Sequence, residues 1–292
     1  MISPPRSIFA ALVLAFGLCG PIPAFAQQGD PVLDRIKANG AIAIGYRETA
    51  SPFSSLDERR NPAGYSIDLC MRAVETIRAH LNTPQLPIKW IPVNPQNRIP
   101  LVTNGTVDLE CGSTVNTLER QKQVDFSYIP FAAATQLLVR KDGGIREVED
   151  LDGKTVALPL ATAPERLVRG IIEQKKLNVR VMPVRDNAEG FLALSTGRAD
   201  AYATDNVLLY GLRKTARVPD DFIVVGRALD YSPYGFMVQK GSSAFLTLVN
   251  SALARAFRSG EADQLFAKWF GPLGFPKSDL VTAAFQVQSI PD

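Results

Sequence analysis

Short apolar runs alternate with longer amphipathic stretches over most of the chain. Runs rich in β-branched residues predict buried strands, and apolar positions repeated every three or four residues predict helices. The predicted strands are Ala41–Tyr46, Ile88–Val93, Val107–Cys111, Lys154–Leu158, Val179–Val184, Ala199–Thr204, Phe222–Val225 and Tyr234–Val238. The predicted helices are Ile67–His80, Glu165–Lys176, Ala188–Thr196, Ala244–Ser259 and Glu261–Phe270. This alternation predicts an α/β fold with mostly parallel sheets, and a length of 292 residues suits two lobes.

Two segments of the pattern repeat one another. LVTNGTVD (Leu101–Asp108) and ALSTGRAD (Ala193–Asp200) each end a predicted helix with glycine and place aspartate three residues later, just before a strand. Glycine readily takes the left-handed conformation that ends a helix. The repetition therefore predicts the same helix-to-strand unit once in each lobe.

The first 26 residues differ from the rest of the chain. Arg6 precedes the apolar run Ile8–Leu18, and Ala24–Ala26 has the small-x-small pattern of a cleavage site. The run is shorter than the roughly 20 apolar residues that span a bilayer. We interpret residues 1–26 as a cleaved signal peptide, with a buried N-terminal helix as the alternative. Cys19 would leave with this peptide, since Leu18 before it is not the small residue that a lipoprotein site prefers.

Removal of Cys19 leaves Cys70 and Cys111. Helical spacing places Cys70 on the buried face of its helix. An even number of cysteines in an oxidising compartment favours a disulfide. Closing a loop of about 40 residues would stabilise the fold by about 4 kcal/mol in the chain-entropy model. The alternative is two separate buried thiols.

Composition narrows the possible functions. With 46% hydrophobic and 21% charged residues, the chain can build two cores, so it is not disordered. Lys and Arg exceed Asp and Glu by only three, and the sequence contains no run of basic residues that could follow a nucleic-acid backbone. No nucleic-acid partner is therefore expected. Two cysteines and the single histidine, His80, do not make a metal site. Nucleotide-binding and triad-hydrolase motifs are missing from the sequence, and no cofactor is expected.

Three arginines stand in loops that follow predicted strands or begin helices. Arg47 follows the first strand, Arg98 follows the second, and Arg120 lies after the third in a loop that also contains Ser113. Ligands of α/β proteins bind beyond the carboxyl ends of the strands. Guanidinium groups bind carboxylates in a bidentate manner. The shared position of the three arginines predicts one crevice for an anionic ligand, although each arginine alone would be a surface charge.

The motifs GYRE, GYSID, QNRIPL, NGTVDLECGST, ERQKQVDFS and GRADAYATD closely resemble the periplasmic solute-binding proteins of polar amino acid ABC transporters, above all those for glutamate and aspartate. The resemblance extends from about Leu33 to Phe270. It implies a two-lobed, type II periplasmic binding protein that closes around its ligand like a clam. The first lobe would comprise residues 27–134 and 236–292, and the second residues 135–235. Hinge strands near Ala132–Leu138 and Pro233–Val238 would connect them.

The resemblance also implies the ligand contacts. Arg120, with Ser113 and backbone amides near Val115, should hold the α-carboxylate of an amino acid. Asp205, at the end of a strand of the second lobe, should bind the α-ammonium. Arg47 and Arg98 match the positions that meet the side-chain carboxylate in members with acidic ligands. Each buried ligand charge would then have a partner.

Several positions depart from the family pattern. The loop Pro159–Ala163 lacks the usual glycine and several hydroxyls, although Thr162 keeps one and remains a candidate contact. Asn187 replaces a histidine that helps to bind the distal carboxylate. Val115 stands where threonine is usual, and Pro95 where serine is. These changes remove donors and keep the charges, so the ligand is less certain than the fold.

The resulting prediction is a monomeric periplasmic receptor, not an enzyme, that captures an acidic amino acid and delivers it to a membrane permease. One alternative is a secreted dehydratase on the same fold, with Glu48, Glu110 or Glu119 as the general acid. Another is a ligand-sensing subunit that reports to a membrane receptor. The sequence does not rank glutamate against aspartate, glutamine or another dicarboxylate.

Overall fold

A computed structural model describes Met1 and residues 29–291, so nearly all of the predicted signal peptide lies outside the described residues. The helices are α1 (Pro31–Asn39), α2 (Tyr65–His80), α3 (Arg98–Thr103), α4 (Ala163–Lys175), α5 (Asn187–Ser195), α6 (Asn206–Thr215), α7 (Ser243–Arg258), α8 (Glu261–Phe270) and α9 (Asp279–Val287). The strands are β1 (Ile42–Tyr46), β2 (Thr49–Ala50), β3 (Ser54–Leu56), β4 (Pro62–Ala63), β5 (Ile88–Pro92), β6 (Leu109–Glu110), β7 (Val124–Phe126), β8 (Phe131–Ala133), β9 (Thr135–Arg140), β10 (Thr155–Pro159), β11 (Arg180–Val184), β12 (Ala201–Asp205), β13 (Phe222–Val225), β14 (Ser232–Tyr234) and β15 (Met237–Gln239).

Two five-stranded sheets of the same topology organise these elements. The first has the order β5-β1-β6-β15-β7 and the second the order β11-β10-β12-β9-β13. In each sheet four strands point in one direction, and only the fourth in order is reversed. The prediction of an α/β fold with mostly parallel sheets is therefore confirmed.

The reversed strands mark where the chain passes between the sheets. β8 pairs antiparallel with β14, through Ala133 with Ser232 and Phe131 with Tyr234. β9 of the second sheet follows β8, and β15 of the first sheet follows β14. The predicted continuous strand Tyr234–Val238 is wrong: the structure ends β14 and begins β15 within it. The break occurs because Gly235 N–H donates to Thr114 O and Phe236 N–H to Ser127 Oγ, so neither amide joins a sheet.

The repeated glycine and aspartate segments form the predicted unit in both halves. Gly105 and Gly197 have φ values of 77° and 72° just after α3 and α5. Asp108 then accepts a hydrogen bond from Ala43 N–H at 2.8 Å, and Asp200 accepts one from Thr155 N–H at 2.7 Å. Each aspartate side chain thus fixes the start of the strand that follows it to the start of a parallel neighbour.

The larger core lies behind the first sheet and is rich in aromatic rings. Phe53, Phe131, Tyr234 and Phe270 are all buried, and the ring of Phe53 packs edge-on against the other three. Tyr234 also belongs to β14, so this cluster supports the connection between the sheets. No helix of residues 29–291 is both long and apolar enough to cross a membrane.

The predicted disulfide is confirmed. Cys70 on α2 and Cys111 directly after β6 are bonded, with their Cα atoms 6.1 Å apart and both residues fully buried. The bond joins the helix to the loop that carries Ser113. It therefore fixes a part of the chain that the sequence associates with ligand binding.

Candidate ligand-binding site

Loops from the two sheets face one another across a narrow cleft whose free volume is only about 20 Å³. Seven of the eight predicted site residues line it: Arg47, Arg98, Ser113, Val115, Thr162, Asn187 and Asp205. Arg47 follows β1, Arg98 begins α3, and Ser113 and Val115 follow β6. On the other side, Thr162 precedes α4, Asn187 begins α5 and Asp205 ends β12. The arrangement places residues beyond the carboxyl ends of parallel strands from both sheets in one place, as the sequence predicted.

Arg47 and Arg98 form the cationic side of the cleft. They are only 4% and 2% exposed. Burial, and then the repulsion from Arg98, lowers the pKa of Arg47 to about 10. Burial also lowers the pKa of Arg98. Both guanidinium groups remain charged at neutral pH although they have little contact with water, so their positive charge favours a bound anion.

Arg98 has a free donor in this environment. Its Nη1 atom donates to Thr114 Oγ1 at 2.7 Å, whereas its Nε atom is buried without a partner among the described residues. An unpaired buried donor is costly. A carboxylate in the cleft would supply the acceptor.

Arg120, the eighth predicted residue, lies beside the cleft and connects its two sides. Nη1 donates to Val115 O at 2.7 Å, and Nη2 donates to Ala161 O, across the cleft, at 3.0 Å. Burial, and then the charge of Arg98, lowers the pKa of Arg120 to about 9. Arg120 thus holds the loops that carry Val115 and Thr162 against one another.

Asp205 is the anionic residue on the side of the second sheet. Its Oδ2 atom accepts a hydrogen bond from Tyr234 Oη at 2.7 Å, and its Oδ1 atom is buried without a partner among the described residues. Burial raises the pKa of this carboxyl group to about 6. A bound ammonium group would pair with Oδ1 and offset the cost of burial.

Asn187 and Thr162 line the cleft, but their polar atoms already have partners. Asn187 Nδ2 donates to Thr49 O across the cleft at 2.7 Å, and its Oδ1 accepts from Tyr202 Oη at 2.8 Å. Thr162 Oγ1 donates to Pro159 O at 2.7 Å and accepts from Glu165 N–H at 3.2 Å. In this arrangement the amide of Asn187 connects the two sides of the cleft, and the hydroxyl of Thr162 caps α4.

The loop before α4 contains a strained residue. Ala161, where the family pattern has glycine, has a φ of 60°. This left-handed conformation is unfavourable for a residue with a Cβ atom. Two hydrogen bonds stabilise this conformation of the loop: Ala161 N–H donates to Glu165 Oε2 at 2.8 Å, and Arg120 donates to Ala161 O.

Sequence reasoning missed two contributors to this site. Glu110 was considered only as an acid for an enzyme, yet it is fully buried and the charges of Arg98, Arg47 and Arg120 act on it. Gln96 was not singled out, although its Nε2 atom donates across the cleft to Leu160 O at 3.2 Å and to Arg185 O at 3.0 Å. The acidic residue of the ECGST motif, beside the predicted disulfide, was the available signal for Glu110.

Comparison with known proteins agrees with this geometry. The model of the family "Bacterial extracellular solute-binding proteins, family 3" matches residues 42–272. The chain is 41% identical over 265 residues to the L-glutamate/L-aspartate-binding protein of Pseudomonas aeruginosa, covering 90% of this chain and 87% of that protein. It is 40% identical over 266 residues to the glutamate/aspartate import solute-binding protein of Escherichia coli, covering 91% and 88%.

A solved structure shares the fold. The P235GK mutant of ArgBP from T. maritima superimposes with a TM-score of 0.73 at 28% identity, covering 82% of this chain and 99% of that one. The family match alone spans most of the described residues and both sheets. The chain therefore belongs to the bacterial extracellular solute-binding proteins of family 3, and it is a binding protein rather than an enzyme.

Proposed function

We propose that this protein binds an acidic amino acid, glutamate or aspartate, in the cleft and serves as the substrate-binding component of an ABC importer. The observation that carries the proposal is the charge of the cleft. Three buried guanidinium groups and two buried carboxylates, those of Glu110 and Asp205, leave a formal charge of +1. An acidic amino acid has a net charge of −1, so its complex would be neutral. Relatives with 40–41% identity are named for glutamate and aspartate.

Each charged group of such a ligand has a partner in the proposed complex. Arg120, Ser113 and the backbone near Val115 would hold the α-carboxylate, and Asp205 Oδ1 would accept the α-ammonium. The unpaired Nε atom of Arg98, together with Arg47, would receive the side-chain carboxylate. Glutamine lacks the second carboxylate and arginine adds a cation, so both would leave the arginines with excess charge.

The proposed closing motion follows from the connections between the sheets. We assign residues 27–134 and 236–292 to one lobe and residues 135–235 to the other, so each lobe contains one five-stranded sheet. The β8–β14 pair lies where both lobe boundaries meet, which suits a hinge. A ligand that contacts both lobes would shift the equilibrium towards the closed form.

The proposed partner is a membrane permease, to which a monomeric receptor would deliver the amino acid from the periplasm. The signal peptide would direct export, and cleavage after Ala26 would release the mature receptor. The family is one of extracellular proteins, and relatives are named for import. These features support transport, with the permease as the recipient of the ligand.

Calorimetry on the exported protein tests the proposal. Glutamate and aspartate should bind, and glutamine and arginine should bind at least tenfold more weakly. Arg120→Ala should abolish amino acid binding, because it removes the contact to the α-carboxylate and the bond across the cleft. Arg59→Ala, which removes an exposed arginine, is the matched control and should bind normally. Unchanged glutamate affinity in the Arg120 variant would contradict the assignment.

A further inference from the structure

Glu110 is a buried acid in the half of the cleft that stands on the first sheet. It ends β6 and is fully buried. Its Oε2 atom accepts a hydrogen bond from Thr114 Oγ1 at 2.9 Å, and Thr114 in turn accepts the bond from Arg98 Nη1 at 2.7 Å. Its Oε1 atom is buried without a hydrogen-bond partner among the described residues.

The backbone leaves room for this carboxylate at one position. A Cβ atom at Gly112 would collide with Glu110 Oε1. Glycine at 112 therefore lets the carboxylate lie inside the cleft wall, between the loop and the arginines. A side chain at residue 112 would therefore displace the carboxylate of Glu110 from this place.

The charges around Glu110 come from separate elements. Arg47 follows β1, Arg98 begins α3 and Arg120 lies in a short 3-10 segment. Burial raises the pKa of Glu110, whereas the charges of these three arginines oppose that rise and favour the ionised carboxylate. The other acids buried among the described residues have their own cations: Asp108 pairs with Arg35, and Glu165 pairs with Arg169. Glu110 and Asp205 are thus the buried acids that offset the three arginines.

We infer that Glu110 is the counter-ion of the cleft arginines and that its charge sets the net charge of the ligand which the cleft selects. This inference rests on the proposed function. With Glu110 ionised, the cleft carries +1 and matches a ligand of −1, an amino acid with an acidic side chain. Without that charge the cleft would carry +2 and would match a dicarboxylate that has no amino group. An unbalanced buried charge costs free energy, so a ligand that leaves the cleft with excess charge should bind more weakly.

The test compares two ligands of the same carbon skeleton, glutamate and glutarate, in calorimetry. Glu110→Gln keeps the shape of the side chain and removes its charge. We expect the ratio of the glutarate Kd to the glutamate Kd to fall at least tenfold relative to the wild type. Glu48→Gln is the matched control, because Glu48 is exposed beside Arg47 and its removal changes the total charge equally. That variant should leave the ratio unchanged.

A second variant separates charge from positioning. Thr114→Val breaks the connection from Arg98 to Glu110 without changing any charge. We expect it to weaken both ligands by a similar factor and to leave the ratio unchanged. If Glu110→Gln also weakens both ligands equally, Glu110 only positions Arg98 and the inference is wrong.

If Glu110→Gln does not fold, the pH dependence of glutarate and glutamate affinity in the wild type tests the inference instead. A complex with glutarate would carry −1, so it should take up a proton, and its affinity should rise as the pH falls from 8 to 6. Glutamate affinity should fall over the same range, because protonated Asp205 no longer attracts the ammonium group. Affinities that change in the same direction would overturn the inference. A wild type that binds neither glutamate nor aspartate would instead contradict the proposed function.

Discussion

The two halves of the cleft stand on sheets of the same topology but carry different polar groups. The half on the first sheet supplies Arg47, Arg98 and Arg120, with Glu110 behind them. The half on the second sheet supplies one carboxylate, Asp205, and neutral groups whose hydrogen bonds are already made. The common fold therefore places the loops, whereas the loop sequences differ in charge: in the proposed complex, one half would bind the carboxylates and the other would bind the ammonium group.

This division explains why neither half forms a complete site. The first half leaves Arg98 Nε without a partner, and the second leaves Asp205 Oδ1 without one. A zwitterion brings an acceptor to the first atom and a donor to the second. In the proposed complex, closure around such a ligand would satisfy both unpaired atoms.

After the loss of binding expected for Arg120→Ala, the largest effect should come from removing Arg98, another buried arginine of the first half with a predicted ligand contact. Arg98→Ala should weaken glutamate at least 100-fold, because truncating one member of a buried charge pair costs several kcal/mol. Glutamine should lose much less, since it presents no side-chain carboxylate. Calorimetry with both ligands checks this. Equal losses for the two would show that Arg98 does not recognise the second carboxylate.

The second half should respond to pH through Asp205. Its pKa of about 6 lies above the usual value of 3.8, so the free folded protein binds more protons than the unfolded chain between those pH values. The stability of the free protein should therefore fall as the pH rises from about 4 to 6, by between about 1 and 3 kcal/mol. Asp205→Asn should make the decrease smaller by this amount in thermal unfolding experiments, while buried Glu110 and Asp108, whose pKa values burial also raises, keep their own contributions.

Ligand binding should show the opposite dependence on pH. The ammonium group requires ionised Asp205, so glutamate affinity should decrease by up to about tenfold per pH unit below pH 6. Asp205→Asn should bind glutamate weakly, with no such decrease. A wild-type affinity that is constant from pH 8 to 5 would show that Asp205 does not pair with the ammonium group.

The sequence predicted the regular elements of both halves better than it predicted the way in which the halves meet. Periodicity located most strands and helices within a few residues, and it predicted the repeated unit at Asp108 and Asp200. It missed α1 and α9 at the two ends of the described chain. It also missed α6, whose buried Val207, Leu208 and Leu209 are consecutive and lack a helical spacing. The bonds across the cleft from Gln96 and Asn187 to backbone carbonyls were also not visible, because any residue can offer a carbonyl oxygen.

A smaller effect is expected from the closing contact of Asn187. Asn187→Ala removes the bond to Thr49 O across the cleft, so it should weaken glutamate by about three- to tenfold, the usual contribution of one hydrogen bond. Tyr202→Phe is the matched control, because it removes only the bond within the second half. The control should lower stability and keep the affinity.

Small-angle scattering with and without glutamate provides the structural measurement for this contact. The Asn187 variant should need more ligand than the wild type to reach the compact form. If Asn187→Ala and Tyr202→Phe weaken glutamate equally, the amide acts within its own half and does not aid closure.

The smallest expected effect concerns the strain in the loop before α4. Ala161→Gly should raise the free energy of unfolding by less than about 1 kcal/mol, because relief of the left-handed strain exceeds the entropy that glycine adds to the unfolded chain. Ala188→Gly is the matched control: Ala188 is exposed in α5, so glycine there should destabilise the protein by about 0.5–1 kcal/mol. Urea unfolding of both variants measures the difference. A destabilising effect of Ala161→Gly would contradict this prediction. It would show that the φ of 60° costs little free energy, because the bonds to Glu165 and Arg120 hold the loop in this conformation.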